Sequence, residues 1–196
     1  MAKKLPQLIM RRPHLLDLAA PVVAEAFTIR AFRSEDESGW NRLMDAAFER
    51  RPGQSDFARE MVSDAPYRPE RVRLVTDADD VVAATASCWL SKRFGSNSAV
   101  LHWVATDPQH AGLGLGSAVS LDALHQGLLE GRDRAFLLTD DFRVAAIKTY
   151  LRLAFTPVLT HGSHADRWRK ILAELSWQES FEELLAGPLE SFEEEV

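Results

Sequence analysis

Three glycines at alternate positions, Gly112, Gly114 and Gly116, form the part of the chain best suited to chemistry. They follow a β-branched, apolar run over residues 99–106 that Asp107 and Pro108 break, and they precede a helical pattern from Ser117. Alternate glycines let a backbone bend sharply and bring its N–H groups against a ligand with no Cβ in the way. A helix start behind them adds unpaired donors and the positive end of the macrodipole. The combination is a phosphate cradle made of backbone, and its amides run through Ala111, Gly112, Leu113, Gly114, Leu115, Gly116 and Ser117. Ala111 and Leu113 are apolar, so the loop brings no cation of its own; Arg143 and Lys148, on a later helix, are the basic residues expected to help. A valine at Gly114 is expected to block the ligand with only a modest loss of fold.

Other groupings carry less. His161 and His164 are spaced His-x-x-His in a Gly-Ser turn with no cysteine or carboxylate cluster to complete a site, so no metal is expected. Cys88 is the sole cysteine and lies in a strand-like run, which reads as a small buried hydrophobe with no disulfide framework. Trp40, Phe48 and Phe57 read as core, with a pocket wall as the alternative.

The elements that must position the glycine loop follow from periodicity. A length of 196 residues, 46% hydrophobic and 27% charged, suits one globular domain with a terminal extension. A net charge of −6 disfavours a nucleic-acid partner, which needs a clustered basic face. Residues 15–27 are only partly apolar, because Asp17, Pro21 and Glu25 interrupt them, so no membrane span is expected. A cytoplasmic protein is the reading, with an export signal at Arg11-Arg12 as the lesser alternative.

Residues 1–25 lack periodicity and read as an arm laid over the domain. Residues 27–32 alternate as a first strand. Ser34 and Glu37 have capping-box spacing ahead of a helix carrying Trp40, Leu43 and Met44 on one stripe. A short helix over 56–63 and a hairpin of 71–76 with 81–90 follow. The strand 99–106 is apolar on both faces and therefore central. A helix over 117–130 ends at Gly131, and a buried strand follows at 135–139. A helix over 144–153 and a strand at 156–160 come next. Ser163 with Asp166 caps a last helix, and the tail, ending in Glu193-Glu194-Glu195, is acidic. The organisation expected is an arm (1–25), an α/β domain with a mixed sheet (26–162) and a helical extension (163–196).

The segment 104–117 resembles motif A of the GNAT superfamily of acyl-CoA-dependent N-acetyltransferases, whose members show strand-x-Pro-x-x-Arg/Gln-Gly-x-Gly-x-Gly/Ala-helix. Pro108, Gly112, Gly114 and Gly116 fall on that frame. Farther on, Arg143-Val-Ala-Ala-Ile-Lys-Thr-Tyr150-Leu-Arg-Leu-Ala-Phe155 resembles the family's Asn-x-Ala-Ala-x-x-x-Tyr-x-x-x-Gly-Phe segment. The arm and last helix are similar to a subset that includes mycothiol synthase. Three departures stand out: Ala111 where the family has Arg or Gln, Arg143 for Asn, and Ala154 for Gly.

The resemblance implies a single-domain α/β fold, mostly antiparallel, with a splayed central strand pair; residues 99–106 are expected to splay from 156–160 around acetyl-CoA. It implies transfer of the acetyl group to a primary amine by direct attack in a ternary complex. Backbone at Val104, Ala105 and Thr106 would hold the pantetheine arm and polarise the carbonyl. Tyr150 would protonate the departing thiolate, and Ala146 and Arg143 share its helix face. His102 is the candidate base, expected on the same face as Val104 and Thr106, with Glu49 and Asp56 as alternatives by location. The acceptor is a small-molecule or peptide amine, segment 49–56 is the expected wall beside it, and a homodimer stays open. Overall acidity favours a basic or neutral acceptor over an anionic one. Two other readings compete. One is a non-catalytic acyl-CoA-binding regulatory module. The other is a dinucleotide-binding βαβ unit with Asp140 or Asp141 on the ribose, disfavoured by Gly-x-Gly-x-Gly spacing and by the proline between strand and glycines.

Overall fold

The protein is described here by a computed structural model over residues 5–192. Seven strands form one sheet among the described residues: β1 (Leu8–Arg12), β2 (Thr28–Ala31), β3 (Val72–Thr76), β4 (Val82–Trp89), β5 (Ser98–Thr106), β6 (Arg134–Thr139) and β7 (Thr156–Val158). Their spatial order is β2-β3-β4-β5-β6-β1-β7, antiparallel throughout except between β5 and β6. The helices are α1 (Glu37–Ala47), α2 (Leu115–Leu129), α3 (Val144–Arg152), α4 (His164–Glu174) and the short α5 (Glu182–Leu185). A single wide helical turn over Ala58–Val62 closes with the Ser63 N–H on the Ala58 carbonyl, 3.0 Å.

Alternation sorts the strands into two cores. Leu8 and Met10 of β1 with Ala99 and Leu101 of β5 pack against α2, α3 and α4 on one face. Ile9, Val100 and Phe136 pack with Trp40, Leu43 and Met44 of α1 and with Phe57 on the other. The sheet is therefore buried on both sides, with β5 fourth of seven as its doubly apolar sequence requires.

The largest departure from the sequence reading is at the N-terminus. Residues 8–12 are a strand inserted between β6 and β7, with Leu8 opposite Thr139 and Ile9 opposite Val158. Leu8, Ile9 and Met10 are all buried and two arginines follow, so the segment shows no alternation and only pairing reveals it. Arg11 and Arg12 lie within this strand. Arg12 is buried, and its guanidinium donates to the Leu153 carbonyl at the C-terminal end of α3 and to Asp17 at 2.5 Å. A cation there also suits the negative end of the α3 dipole. The last helix is likewise continuous with the domain, since Trp168 and Leu172 sit fully buried in the same core as α2.

Two caps differ from expectation. Asp36, not Glu37, reaches back to the Arg33 N–H at 2.7 Å, and Ser163 directs its hydroxyl to His161 Nδ1 at 2.9 Å rather than to α4. Glu193, Glu194 and Glu195 lie outside the described residues.

Candidate functional site

β5 and β6 pair only from Ser98 to Val100, opposite Arg134 to Phe136, and then part. The splay expected between 99–106 and 156–160 therefore lies between β5 and β6 instead. β7 is separated from β5 by two strands, because β1 has taken the place beside β6. The gap opens into a cleft of about 540 Å³ walled by β5 residues Val104, Ala105 and Thr106, by the loop and first turn of α2, and by α3, with Phe48 across the mouth.

The glycine loop is built as its sequence requires. Asp107 Oδ1 accepts from the Gln109 N–H at 2.9 Å and starts a tight turn over Pro108–His110. Gly114 lies in the left-handed region, φ +76°, immediately before α2. A valine there would strain the backbone, so it cannot test ligand binding alone, contrary to the sequence expectation. Gly116 has a different reason. A Cβ on it would stand 2.9 Å from Thr106 Oγ1, so the glycine lets α2 press on the end of β5. The α2 ladder begins with the Ala118 N–H on the Gly114 carbonyl, 3.0 Å, which leaves the Leu115, Gly116 and Ser117 amides without intrahelical acceptors.

Two members of the expected cradle turn inward. The Ala111 N–H is spent on the Pro108 carbonyl at 3.2 Å and the Leu113 N–H on the His110 carbonyl at 3.4 Å. The Leu113 side chain is exposed and outside the cleft lining, as is Lys148 on the outer side of α3. Arg143 and Ala146 do line it.

Tyr150 is buried at 7% exposure yet lines the cleft. Burial pushes its phenol up to about 12, with Arg143 pulling the other way, and no hydrogen bond contributes. Its position is fixed by how α3 ends. The Phe155 N–H bonds the Tyr150 carbonyl at 3.0 Å and the Ala154 N–H bonds the Leu151 carbonyl at 3.0 Å, a Schellman closure with Ala154 at φ +59°. The Tyr-x-x-x-Ala-Phe spacing is thus the C-cap of the helix that presents the phenol, with the Tyr150 and Phe155 rings 6.2 Å apart.

His102 does not share the face of Val104 and Thr106. Trp103 has φ +48° and forms a bulge, so the pairs step from Ser87–His102 to Thr85–Ala105. The extra residue reverses the alternation. Val104 packs with the α2 core, whereas the His102 ring lies 6.0 Å from Trp89 and 5.0 Å from Trp103. Burial lowers its pKa while Asp64 opposes, and Asp64 itself accepts from Trp89 Nε1 at 3.0 Å. Backbone alternation from the Asp107 N–H on the Ala83 carbonyl, 2.8 Å, turns the Thr106 N–H away from β4 and toward the splay.

Around the mouth, Trp40 and Phe57 are core, but Phe48 faces the cleft. Arg143 lies over its ring, 4.3 Å from the centroid. Glu49 and Asp56 are absent from this lining; Asp56 borders a separate polar groove between α1 and residues 50–59. His161 and His164 are 5.9 Å apart by ring centroid, and among the described residues no cluster of three metal-capable side chains occurs. His110, Phe142 and Thr149 also line the cleft without having been singled out by sequence. His110 carried one available signal, its place inside the glycine motif.

The comparisons with known proteins agree with this fold. The family model described as Acetyltransferase (GNAT) family matches residues 31–155. The mycothiol acetyltransferase of Streptomyces griseus is 28% identical over 145 residues, covering 72% of this chain and 47% of that protein. The mycothiol acetyltransferase of Thermobispora bispora is 29% identical over 154 residues, covering 75% of this chain and 52% of that one. The chain thus spans about half the length of these curated relatives. A GCN5-related N-acetyltransferase from Sphaerobacter thermophilus superposes with a TM-score of 0.59 at 20% identity, covering 78% of this chain and 49% of its own. The ribosomal-protein-S18-alanine N-acetyltransferase of Escherichia coli gives 0.53 at 18% identity, covering 70% and 86%. With the model matched from β2 to the end of α3, the chain belongs to the GNAT acetyltransferase family.

Proposed function

We propose that this chain transfers an acetyl group from acetyl-CoA to a primary amine on a small molecule or peptide, by direct attack within a ternary complex. The observation that carries the reading is the meeting of two donor sets in one cleft. Free amides of the first turn of α2 lie at one end, and the Tyr150 phenol, with no hydrogen bond of its own, lies along the same wall. Acetyl as the group transferred is supported by the names of the curated relatives.

In this reading the amides of Gly112, Gly114, Leu115, Gly116 and Ser117 hold the pyrophosphate. The backbone of Val104, Ala105 and Thr106 lies along the pantetheine arm, with the Thr106 amide turned into the splay. The amine nitrogen attacks the thioester carbonyl, the carbon–sulfur bond breaks, and the Tyr150 hydroxyl donates to the departing sulfur. A phenol whose pKa is about 12 is fully protonated at neutral pH, so the donor is always loaded. His102, kept neutral by burial on the α1 side of the bulge, is the proposed acceptor of the amine proton through water. A cytoplasmic location fits a reaction that draws on acetyl-CoA.

The experiment is a thiol-release assay with acetyl-CoA against amino acids, polyamines, aminoglycosides and short peptides, run beside calorimetry with CoA. Release with an amine supports the proposal. Clear acetyl-CoA binding with no release from any acceptor favours a non-catalytic regulatory module, and tight NAD binding without CoA binding sinks both.

A further inference from the structure

Arg143 is locally the wrong residue for its position. It is the N-cap of α3, where a side-chain oxygen would satisfy a free amide, and it makes no capping bond. Its cation also sits at the positive end of the helix dipole, an arrangement that costs stability. A residue held against local preference is held for something else.

Its guanidinium lies over the Phe48 ring at 4.3 Å and over the neighbouring Phe142 ring at 5.3 Å. Arg50 lies over the Phe48 ring at 5.4 Å, so that aromatic is flanked by two guanidiniums. Their charges are not equivalent. Arg50 is satisfied, with Nη1 2.9 Å from Glu60 Oε2 and 2.9 Å from Ser55 Oγ. Arg143 has one carboxylate within 4.0 Å among the described residues, Asp140 at 3.7 Å, which is beyond hydrogen-bond length.

The place of this under-compensated charge is defined. It acts on the Tyr150 phenol, and Phe48 packs edge-on against Trp103 of the bulge, ring centroids 6.1 Å apart. Arg143 therefore lines the same cleft as Tyr150, two turns earlier on α3 and about 10 Å along its axis, and it meets the bulge of β5 through Phe48. The lining of the cleft contains no aspartate or glutamate. Its other arginine, Arg152, is the last residue of α3, two beyond Tyr150. The acidity of the whole chain does not extend into this cleft, and a polycationic acceptor would find no partner in its walls.

We propose that Arg143 is a specificity-determining residue that reads a carboxylate presented in this cleft. The carboxylate belongs either to the amine acceptor, as in an α-amino acid or a peptide C-terminus, or to a dicarboxylic acyl group on CoA. The inference rests on the acyltransferase reading above and names its substrate class. It reverses the expectation of a basic or neutral acceptor drawn from net charge.

The test measures kcat/KM for α-amino acids against their primary amides with acetyl-CoA, and for succinyl-CoA against acetyl-CoA with one neutral amine. Each ratio is taken in wild type, Arg143→Gln and Arg143→Lys. A carboxylate preference of at least tenfold is expected in one arm, consistent with a charge-assisted hydrogen bond, and the arm that shows it identifies the carrier. The ratio should fall to within twofold in Arg143→Gln and recover in part in Arg143→Lys; ratios cancel any common effect on CoA. A second readout needs no turnover. N-acetyl amino acids and their amides, and succinate against succinamide, are titrated into the protein by calorimetry, with the same preferences expected. Failure of the acyltransferase reading appears as no thiol release with any acceptor. Failure of this inference appears as equal binding and equal turnover of each acid and its amide in wild type, or as a preference that survives in Arg143→Gln, and either result overturns it.

Discussion

Ser117→Asp separates folding from phosphate binding, because one charge acts on the two in opposite directions. Ser117 is the third residue of α2, with its amide free and its side chain in the cleft. An acid in the first turn faces the positive end of the helix dipole, a favourable interaction of about 0.3–1 kcal/mol. For a domain of this size that is a rise in Tm of about 1–4 °C. The bound pyrophosphate carries roughly two negative charges near the same amides. At about 6 Å and an effective dielectric constant of 80, the repulsion is about 0.7 kcal/mol per charge, or about 1.4 in total, and it doubles at a dielectric constant of 40. CoA should therefore bind about 10- to 100-fold more weakly to a protein that melts no lower. Calorimetry with CoA and thermal melts of the free protein give both numbers. The penalty should shrink in 0.5 M salt, and Ser117→Asn, neutral and close in shape, should bind nearly as wild type. Equal CoA affinity in wild type and Ser117→Asp, or an equal loss in Ser117→Asn, refutes the cradle.

Tyr150→Phe is expected to lower kcat by about 10²–10⁴ while the CoA Kd and Tm stay unchanged, since the hydroxyl has no partner to lose; a mutant with normal turnover removes the phenol from the mechanism. Ala154→Gly should raise stability by about 0.5–1 kcal/mol, because Ala154 holds φ +59° at the C-cap of α3, and chemical denaturation measures it. The acid side of the stability profile should show an early shoulder. Burial depresses the pKa of both His102 and His164 below the usual 6.5, so the stability their neutral forms confer is complete above that value. It is lost as the pH falls below 6.5, ahead of the carboxylates. Tm measured from pH 7.5 to 4.5 tests this, with a smaller shoulder expected in His164→Asn, which can keep an acceptor for the Thr160 N–H.

The glycine loop, the central place of β5 and the helix carrying Tyr150 were legible because each rests on local chemistry. Three alternate glycines, a doubly apolar run and a Tyr-to-Phe spacing are all written in consecutive residues. What escaped the sequence was non-local or shifted the period. β1 is recognisable only by its partners Thr139 and Val158, more than a hundred residues away. The bulge at Trp103 carries no glycine or proline signal, and an unbroken alternation put His102 on the wrong face. Leu113 is expected for its amide and Lys148 for its charge, yet that amide bonds the His110 carbonyl and Lys148 lies on the outer side of its helix. Phe48, read as core with a pocket wall as the alternative, meets Arg143 across the cleft, a contact that no spacing rule connects.

The insertion of β1 between β6 and β7 also bears on how the chain folds. Its register brings Leu8 to Thr139, a closure of some 130 residues. The entropy of that loop alone is about 4 kcal/mol. Until β1 arrives, β6 and β7 present two facing rows of unpaired backbone groups, a template for any stray extended segment. Such high contact order favours slow folding. Because Arg12 of the same strand ties down the end of α3, the helix bearing Tyr150 gains its final anchor only when that long-range closure is complete. Residues at the start of the chain thus complete the support of a site assembled largely from its second half.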